Sequence, residues 1–235
     1  MKRALVIFLL LVAACASAGC WDTIDISNRA YITAVGIDRA ESPSGFKVSL
    51  EIVKPAELLA NSGEPAAVIH TVEAESIALA LEQIQARIPR RLTMGHVRVL
   101  LVGEKQAGED LRDVFEYFEK QPDIAMRLQL MFVQDGEALD ILKSKPQMRR
   151  YVSQELVAMT QLEYRYALSK TSSLSGFLSE LRATGGRGFA GRILSIRDGA
   201  VLIRHGGAVF DKWRLVGWLS SSETQSAGWI TNGAN

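Results

Sequence analysis

The sequence predicts an α/β (α+β) fold: a mixed β-sheet with flanking helices, followed by a smaller strand-rich domain. Three observations predict it. Apolar strand patterns, alternating in Phe46–Val53 and near-continuous in His96–Gly103, are interleaved with helical spacings such as Leu111, Val114, Phe115 and Phe118. Two of the helical stretches run into prolines, Pro89 and Pro122. After Thr184 the texture changes to short strands and turns, beginning with Gly185–Gly186–Arg187–Gly188.

The elements follow in order. Tyr31–Asp38 reads as a buried strand, and Phe46–Val53 places Val48, Leu50 and Ile52 on one face. The turn cluster Glu41–Ser42–Pro43–Ser44–Gly45 between them predicts a hairpin. Ala66–Thr71 is a third strand. Glu75–Ile88 turns helical, with Ile77, Leu81, Ile84 and Ile88 at helical spacing. His96–Gly103 reads as a central strand. Glu109–Lys120 is the clearest helix, and Arg127–Val133 returns to strand. A short helix opens at Gly136–Glu137, a longer one spans Arg150–Leu168, and Leu174, Phe177, Leu178 and Leu181 mark another. Beyond the linker, Arg192–Arg197 and Ala200–Arg204 flank an Asp198–Gly199 hairpin turn. Ala208–Phe210 and Leu215–Leu219 complete the strand-rich part. The expected divisions are residues 1–19 as a leader, 20–184 as an α/β domain, and 185–235 as a second, strand-rich and incomplete domain.

The first residues carry the strongest processing signal. Met1–Lys2–Arg3 is a short positive region, Ala4–Ala14 is apolar, and small residues continue to Gly19. The run is too short for a membrane-spanning helix of about 20 apolar residues. Ala18–Gly19–Cys20 is similar to a bacterial lipobox, whose cysteine is acylated and then becomes the N-terminus. Val12–Ala13–Ala14–Cys15 competes with it and matches the pattern better at the position of Ser17. Cys20 is favoured because the sequence changes character there, from small and apolar to Trp21–Asp22–Thr23–Ile24–Asp25. The chain has two cysteines, and none follows Cys20, so disulfides and cysteine metal sites are excluded from residue 21 onward. Covalent attachment is the economical use of Cys20. Stable anchoring takes more than one acyl chain, and a diacylglyceryl group supplies two.

Charge and motifs exclude several classes. The formal net charge is +1, and without the leader's Lys2 and Arg3 the balance is −1. A nearly neutral body carries no global footprint for nucleic acid or an anionic membrane. Gly186–Arg187–Gly188–Phe189–Ala190–Gly191 satisfies G-x-G-x-x-G by letter. A helix precedes it and a strand follows, the reverse of what pyrophosphate binding needs. His70, His96 and His205 are isolated, with no zinc spacing. There is no G-x-S-x-G elbow and no catalytic acid pair, so no enzyme activity and no cofactor are expected. Asp22, Asp25 and Asp38 are candidate carboxylates, with solvated or capping roles preferred for the first two. Arg182, Arg187, Arg192, Arg197 and Arg204 bias the second part toward positive charge, on solvated strand faces or facing an acidic partner. Tyr151, Tyr164 and Tyr166, with Arg149, Arg150 and Arg165, form either a partner face or core packing.

Four stretches in order resemble one family. Gly19–Cys20–Trp21–Asp22 is followed by Ile24–Asp25–Ile26 and Val35–Gly36–Ile37–Asp38. Gly95–His96 leads into Val99–Leu100–Leu101–Val102–Gly103–Glu104. Leu111–Phe118 is followed by Pro122–Asp123–Ile124. Gly207–Lys212 is followed by Leu215–Val216–Gly217–Trp218–Leu219–Ser220 and Glu223–Thr224. Together they resemble the Ger(x)C family, the C-subunit lipoproteins of bacterial spore germinant receptors. Two departures are Gln121–Pro122–Asp123 after the helix, where the family has Arg-Asp, and Asp25 where it has Glu. Family members also continue into a further C-terminal domain, which a chain ending at Asn235 is expected to lack.

The resemblance implies a non-catalytic, lipid-anchored protein on the outer face of the spore inner membrane. It implies integral-membrane A and B receptor subunits as partners, a response to nutrients, and no nucleic acid. Cys20 is the carried-over site, for lipid attachment of the palmitate type. Trp21 is placed against the domain or at the lipid interface, and His96 and Trp218 are structural. The alternative from another class is a solute-binding lipoprotein, which would need a cleft of convergent polar groups.

Overall fold

The computed structural model describes residues 3–4, 28–42, 45–54, 66–163, 169–196, 201–203 and 205–232. Eleven strands form one mixed sheet among these residues. β1 (Arg29–Arg39) and β2 (Phe46–Val53) form the expected hairpin, and β3 (Ala67–Ala74) adds antiparallel to β2. On the other side of β1, β5 (Val99–Val102), β6 (Gln129–Val133) and β8 (Gly188–Ile196) follow in parallel. β10 (Gly207–Asp211) and β11 (Arg214–Leu219) then close that side antiparallel. Three short strands lie off this path: β4 (Arg91–Thr93) beside β1, β7 (Ser172–Ser173) beside β6, and β9 (Val201–Ile203) beside β8.

Helices cover both faces, which is why the parallel strands read as continuous apolar runs. On one face lie α1 (Ile77–Gln85), α3 (Arg112–Glu119) and α6 (Leu174–Ala183). Ser76 caps α1 by accepting the Leu79 N–H, and Ser173 caps α6 by accepting that of Gly176. Leu111, Val114, Phe115 and Phe118, and all four apolar positions of α6, are buried as their spacing predicts. On the other face lie α4 (Ala138–Lys143) and α5 (Val152–Glu163), packed through Ala138, Ile141, Leu142, Val152 and Leu156. The short α2 (Glu104–Ala107) follows β5, and α7 (Ser221–Asn232) follows β11. Neither is apparent in the hydrophobic pattern. Among the described residues, no helix is long and apolar enough to cross a membrane.

The strand-rich segment expected after Gly185 does follow, and it is built onto the same sheet. β8 pairs with β6 through Met131↔Gly191 and Val133↔Ile193. Phe210 of β10 enters the first core, with ring centroids 4.5 Å from Phe132 and 5.1 Å from Phe177. Each such buried ring contributes about 2–3 kcal/mol of apolar burial. Gly185–Gly186 is therefore the turn between α6 and β8, where the texture changes while the hydrogen-bonded sheet continues. Gly186 has φ +95°, and a side chain there would strike the Trp213 ring.

Candidate functional site

β1, β5 and β6 end side by side, and β1 has β2 on its other flank. In open α/β sheets, clefts form where the connections diverge, outside the carboxyl ends of the strands. Here a cavity of about 270 Å³ is lined by Asp38, Arg39, Glu104, Lys105, Asp135, Gly136 and Glu137. Asp38 and Arg39 end β1, Glu104 and Lys105 open α2 after β5, and residues 135–137 join β6 to α4.

Asp38 is the organising residue. Its Oδ1 accepts the Ala138 N–H at 2.7 Å and its Oδ2 accepts the Leu139 N–H at 3.0 Å, satisfying the first turn of α4. Burial pushes its carboxyl up to about 6, against the pull of those two N–H donors. Lys47 of β2, the register partner of Asp38, bonds Glu137 at 2.8 Å and ties β2 to the same loop. Gly36 and Gly103 supply the room: a Cβ at 36 would crowd Ala138 and Leu142, and one at 103 would strike Asp38 Oδ1.

Glu104 links the far side. Its Oε2 accepts the Asp135 N–H at 2.7 Å, holding a residue whose φ is +55°, and its Oε1 accepts the Trp218 indole N–H at 2.8 Å. The β10–β11 hairpin is thereby fastened over the end of the sheet. Arg214 reaches Glu109 at 3.4 Å, and Arg39 meets the same carboxylate.

A second buried carboxylate lies within the sheet. Glu51 of β2 accepts from the Thr33 hydroxyl at 2.8 Å and from the Val152 N–H at 2.8 Å. It also takes the Ser153 N–H, at 3.2 Å to Oε2. Thr33 reaches it from an irregularity in β1 between Ile32 and Ala34. Burial pushes the Glu51 carboxyl up, and these donors oppose that. Asp38 and Glu51 thus perform the same service, holding the first turns of α4 and α5 against one face of the sheet. The spacing of Val48, Leu50 and Ile52 placed Glu51 on the opposite, polar face of β2. What it could not show is that helices cover that face too.

This arrangement pins loops to a sheet end. Asp38 and Glu104 are occupied with backbone and indole donors, and Glu137 with Lys47. No group of three or more His, Cys, Asp or Glu among the described residues is placed to hold a metal.

The remaining candidates are dispersed. Cys20 and Cys15 lie outside the described residues, as do Trp21, Asp22, Asp25, Tyr164, Arg165, Tyr166, Arg197 and Arg204. Asp38 is distant in role from the tether acids and belongs to the cleft. His96 sits in a 3-10 turn (Met94–His96), edge-on to Tyr31 at 4.9 Å. His70 is on β3 and His205 precedes β10, so the histidines do not converge. The G-x-G-x-x-G stretch is the α6–β8 turn and the start of β8. Arg182 pairs with Glu119, Arg187 with Asp211, and Arg192 with Gln134 and the His205 carbonyl, all groups of the chain itself. The Glu104–Trp218 link was not foreseen, because 114 residues separate the two.

The family model for the spore germination protein N-terminal domain matches residues 22–193. Spore germination protein KC of Bacillus subtilis (strain 168) is 24% identical over 256 residues, covering 99% of this chain and 63% of its own length. Spore germination protein B3 of the same organism is 26% identical over 238 residues, covering 96% of this chain and 60% of its own. The crystal structure of the GerBC protein is similar at a TM-score of 0.36 and 19% identity, covering 83% of this chain and 54% of that one. The chain spans about 60% of the length of these curated relatives. With most of its length matched by the family model and four family motifs in order, the chain belongs to the Ger(x)C family of spore germination proteins.

Proposed function

We propose that this chain acts in spore germination as a lipid-anchored, non-catalytic subunit of a nutrient germinant receptor. Residues 1–19 serve as an export leader, and Cys20 carries the lipid. The body contacts integral-membrane A and B subunits on the outer face of the spore inner membrane. One observation carries this reading: the family match begins at residue 22, two positions after Cys20, and runs through the sheet to residue 193.

The cleft supports contact over capture. At about 270 Å³ it is smaller than most small-molecule pockets, and the carboxylates on its wall already accept the chain's own donors. The solute-binding alternative gains no specific support from it. What the cleft does supply is a rigid, charged set of loops from three strands and the β10–β11 hairpin.

The test is nutrient germination of spores lacking this chain. Loss of the nutrient response, restored by a single copy of the native gene, is the expected result. An unchanged response in a strain with no second copy would sink the receptor role.

A further inference from the structure

The end of the sheet opposite the cleft carries a second feature. β1, β4, β5 and β6 run parallel, so their first residues share one end. Arginines gather there. Arg29 and Arg91 are register partners at the starts of β1 and β4, and Arg90 adjoins Arg91. Arg98 precedes β5; its N–H donates to the Thr33 carbonyl at 2.9 Å, and its carbonyl accepts from Gln129 at 2.8 Å. Arg127 stands two residues before β6. Arg149 lies in the loop before α5. Arg98 bonds Thr33, Thr33 reaches Glu51, and Glu51 accepts the Val152 N–H at the end of that loop, so the loop too borders the rim.

Arg90, Arg91, Arg98, Arg127 and Arg149 are exposed, and Arg29 is half-buried. Among the described residues none of the six is in an ion pair, whereas Arg182, Arg187 and Arg214 all are. Met148, beside Arg149, is 85% exposed. Among the described acids, Glu82 and Asp123 are exposed, and the Glu155 carboxylate accepts the Gln147 and Met148 N–H groups beside Arg149. The cleft end carries Asp38, Glu104, Asp135 and Glu137 against Arg39, Lys47 and Lys105. A chain of nearly zero net charge is therefore polarised along its strands.

β1 begins at the arginine end. Eight residues, 21–28, lie between Cys20 and Arg29, where β1 begins. Fully extended, they span at most about 30 Å. The first part of the domain that an anchored chain brings to the bilayer is the arginine rim.

We propose that this rim rests on anionic lipid headgroups and orients the domain, with Met148 at the interface and the cleft facing away from the membrane. The proposal rests on the lipid anchor at Cys20. Each arginine held near an anionic bilayer strengthens attraction roughly fivefold, and the effect fades beyond a Debye length of about 10 Å at 0.1 M salt. The anchor supplies residence at the membrane, and the rim supplies orientation.

The test uses the full lipidated chain in vesicles. With the leader removed and Cys20 acylated, an introduced cysteine is the single free thiol. Dye is placed on Met148→Cys or on Lys105→Cys at the cleft, and a quencher is attached to the headgroups. In vesicles rich in phosphatidylglycerol, the dye at 148 is quenched severalfold more than the dye at 105. The difference disappears in phosphatidylcholine alone, at high salt, and in the combined Arg90→Gln, Arg91→Gln, Arg98→Gln and Arg127→Gln variant. Equal quenching at the two positions, or a preference that salt and the four substitutions leave intact, overturns the proposal. If the variant misfolds, the salt arm on the native chain decides alone. A correctly folded variant that keeps its orientation in vesicles but loses nutrient germination assigns the rim to a protein partner and overturns the lipid proposal. A native chain that does not float with vesicles refutes the anchor itself, and the orientation with it.

Discussion

Gly103 faces the Asp38 carboxylate with nothing but hydrogen between them, so that a Cβ at 103 would collide with Asp38 Oδ1. That contact lets the end of β5 close over the residue that caps α4. Gly103→Ala forces the carboxylate off the Ala138 and Leu139 N–H groups, and a cost of about 1–3 kcal/mol is expected from overpacking. Gly217→Ala is the control, because a Cβ there meets nothing within 4 Å. It stays within about 0.5 kcal/mol. Urea unfolding of both variants measures the contrast, and equal costs would contradict the close fit.

Asp38 also predicts a pH dependence with a definite sign. Burial, its largest influence, raises its folded pKa to about 6, above the unfolded value near 4. The folded chain therefore binds the proton more tightly. The associated stability is fully present below about pH 4 and is lost as pH rises through about 6. Relative to Asp38→Asn, the native chain gains on the order of 1–2 kcal/mol between pH 7.5 and pH 4.5. Paired denaturation curves at the two pH values test this. A difference that is flat, or that grows toward pH 7.5, would place the Asp38 pKa below 6.

Glu51 holds α5 from inside the sheet. Glu51→Ala leaves the Val152 and Ser153 N–H groups buried without their acceptor and leaves the Thr33 hydroxyl only the backbone carbonyl of residue 51, at 3.4 Å. A loss of about 2–4 kcal/mol is expected. Glu51→Gln keeps one acceptor oxygen and costs less. Amide hydrogen exchange supplies a local readout, with Val152 and Ser153 losing protection before β5 and β6 in the alanine variant.

Trp218 fastens the β10–β11 hairpin to Glu104. Trp218→Phe retains most of the ring and removes the indole N–H, for a loss of about 1 kcal/mol. Glu104→Gln keeps one acceptor oxygen, so either the Asp135 N–H or the Trp218 indole N–H is left facing an amide NH2. Combining Trp218→Phe with Glu104→Ala gives a double-mutant cycle, and additive effects would show that the two are uncoupled.

The strands and most helices were legible because their apolar spacing is local. Phe46–Val53 is a strand over that whole range, and Leu174, Phe177, Leu178 and Leu181 bury as a helix face. The short pieces were not legible. β4 has three residues and α2 has four, too few for a periodicity to appear. The role of Glu51 was not legible because alternation reports one buried face, whereas α4 and α5 cover the other. The cleft depends on pairs such as Asp38–Ala138 and Glu104–Trp218, whose members lie 100 and 114 residues apart. Net charge reports a sum and not where the charges sit. A sum of −1 without the leader suggested no attraction to an anionic membrane, yet the parallel strands bring their leading arginines to one end.

The most direct measurement of the central claim compares spores carrying the native chain with spores carrying Cys20→Ala, each as the single copy. Membrane fractionation, mass analysis of the N-terminal peptide and nutrient germination are read on the same preparations. The account predicts a native chain that is membrane-bound, diacylated at Cys20 and able to restore germination, and a variant that fails in all three. A Cys20→Ala chain that still fractionates with the membrane and restores germination would contradict it, and would move the anchor to Cys15 or to an uncleaved leader.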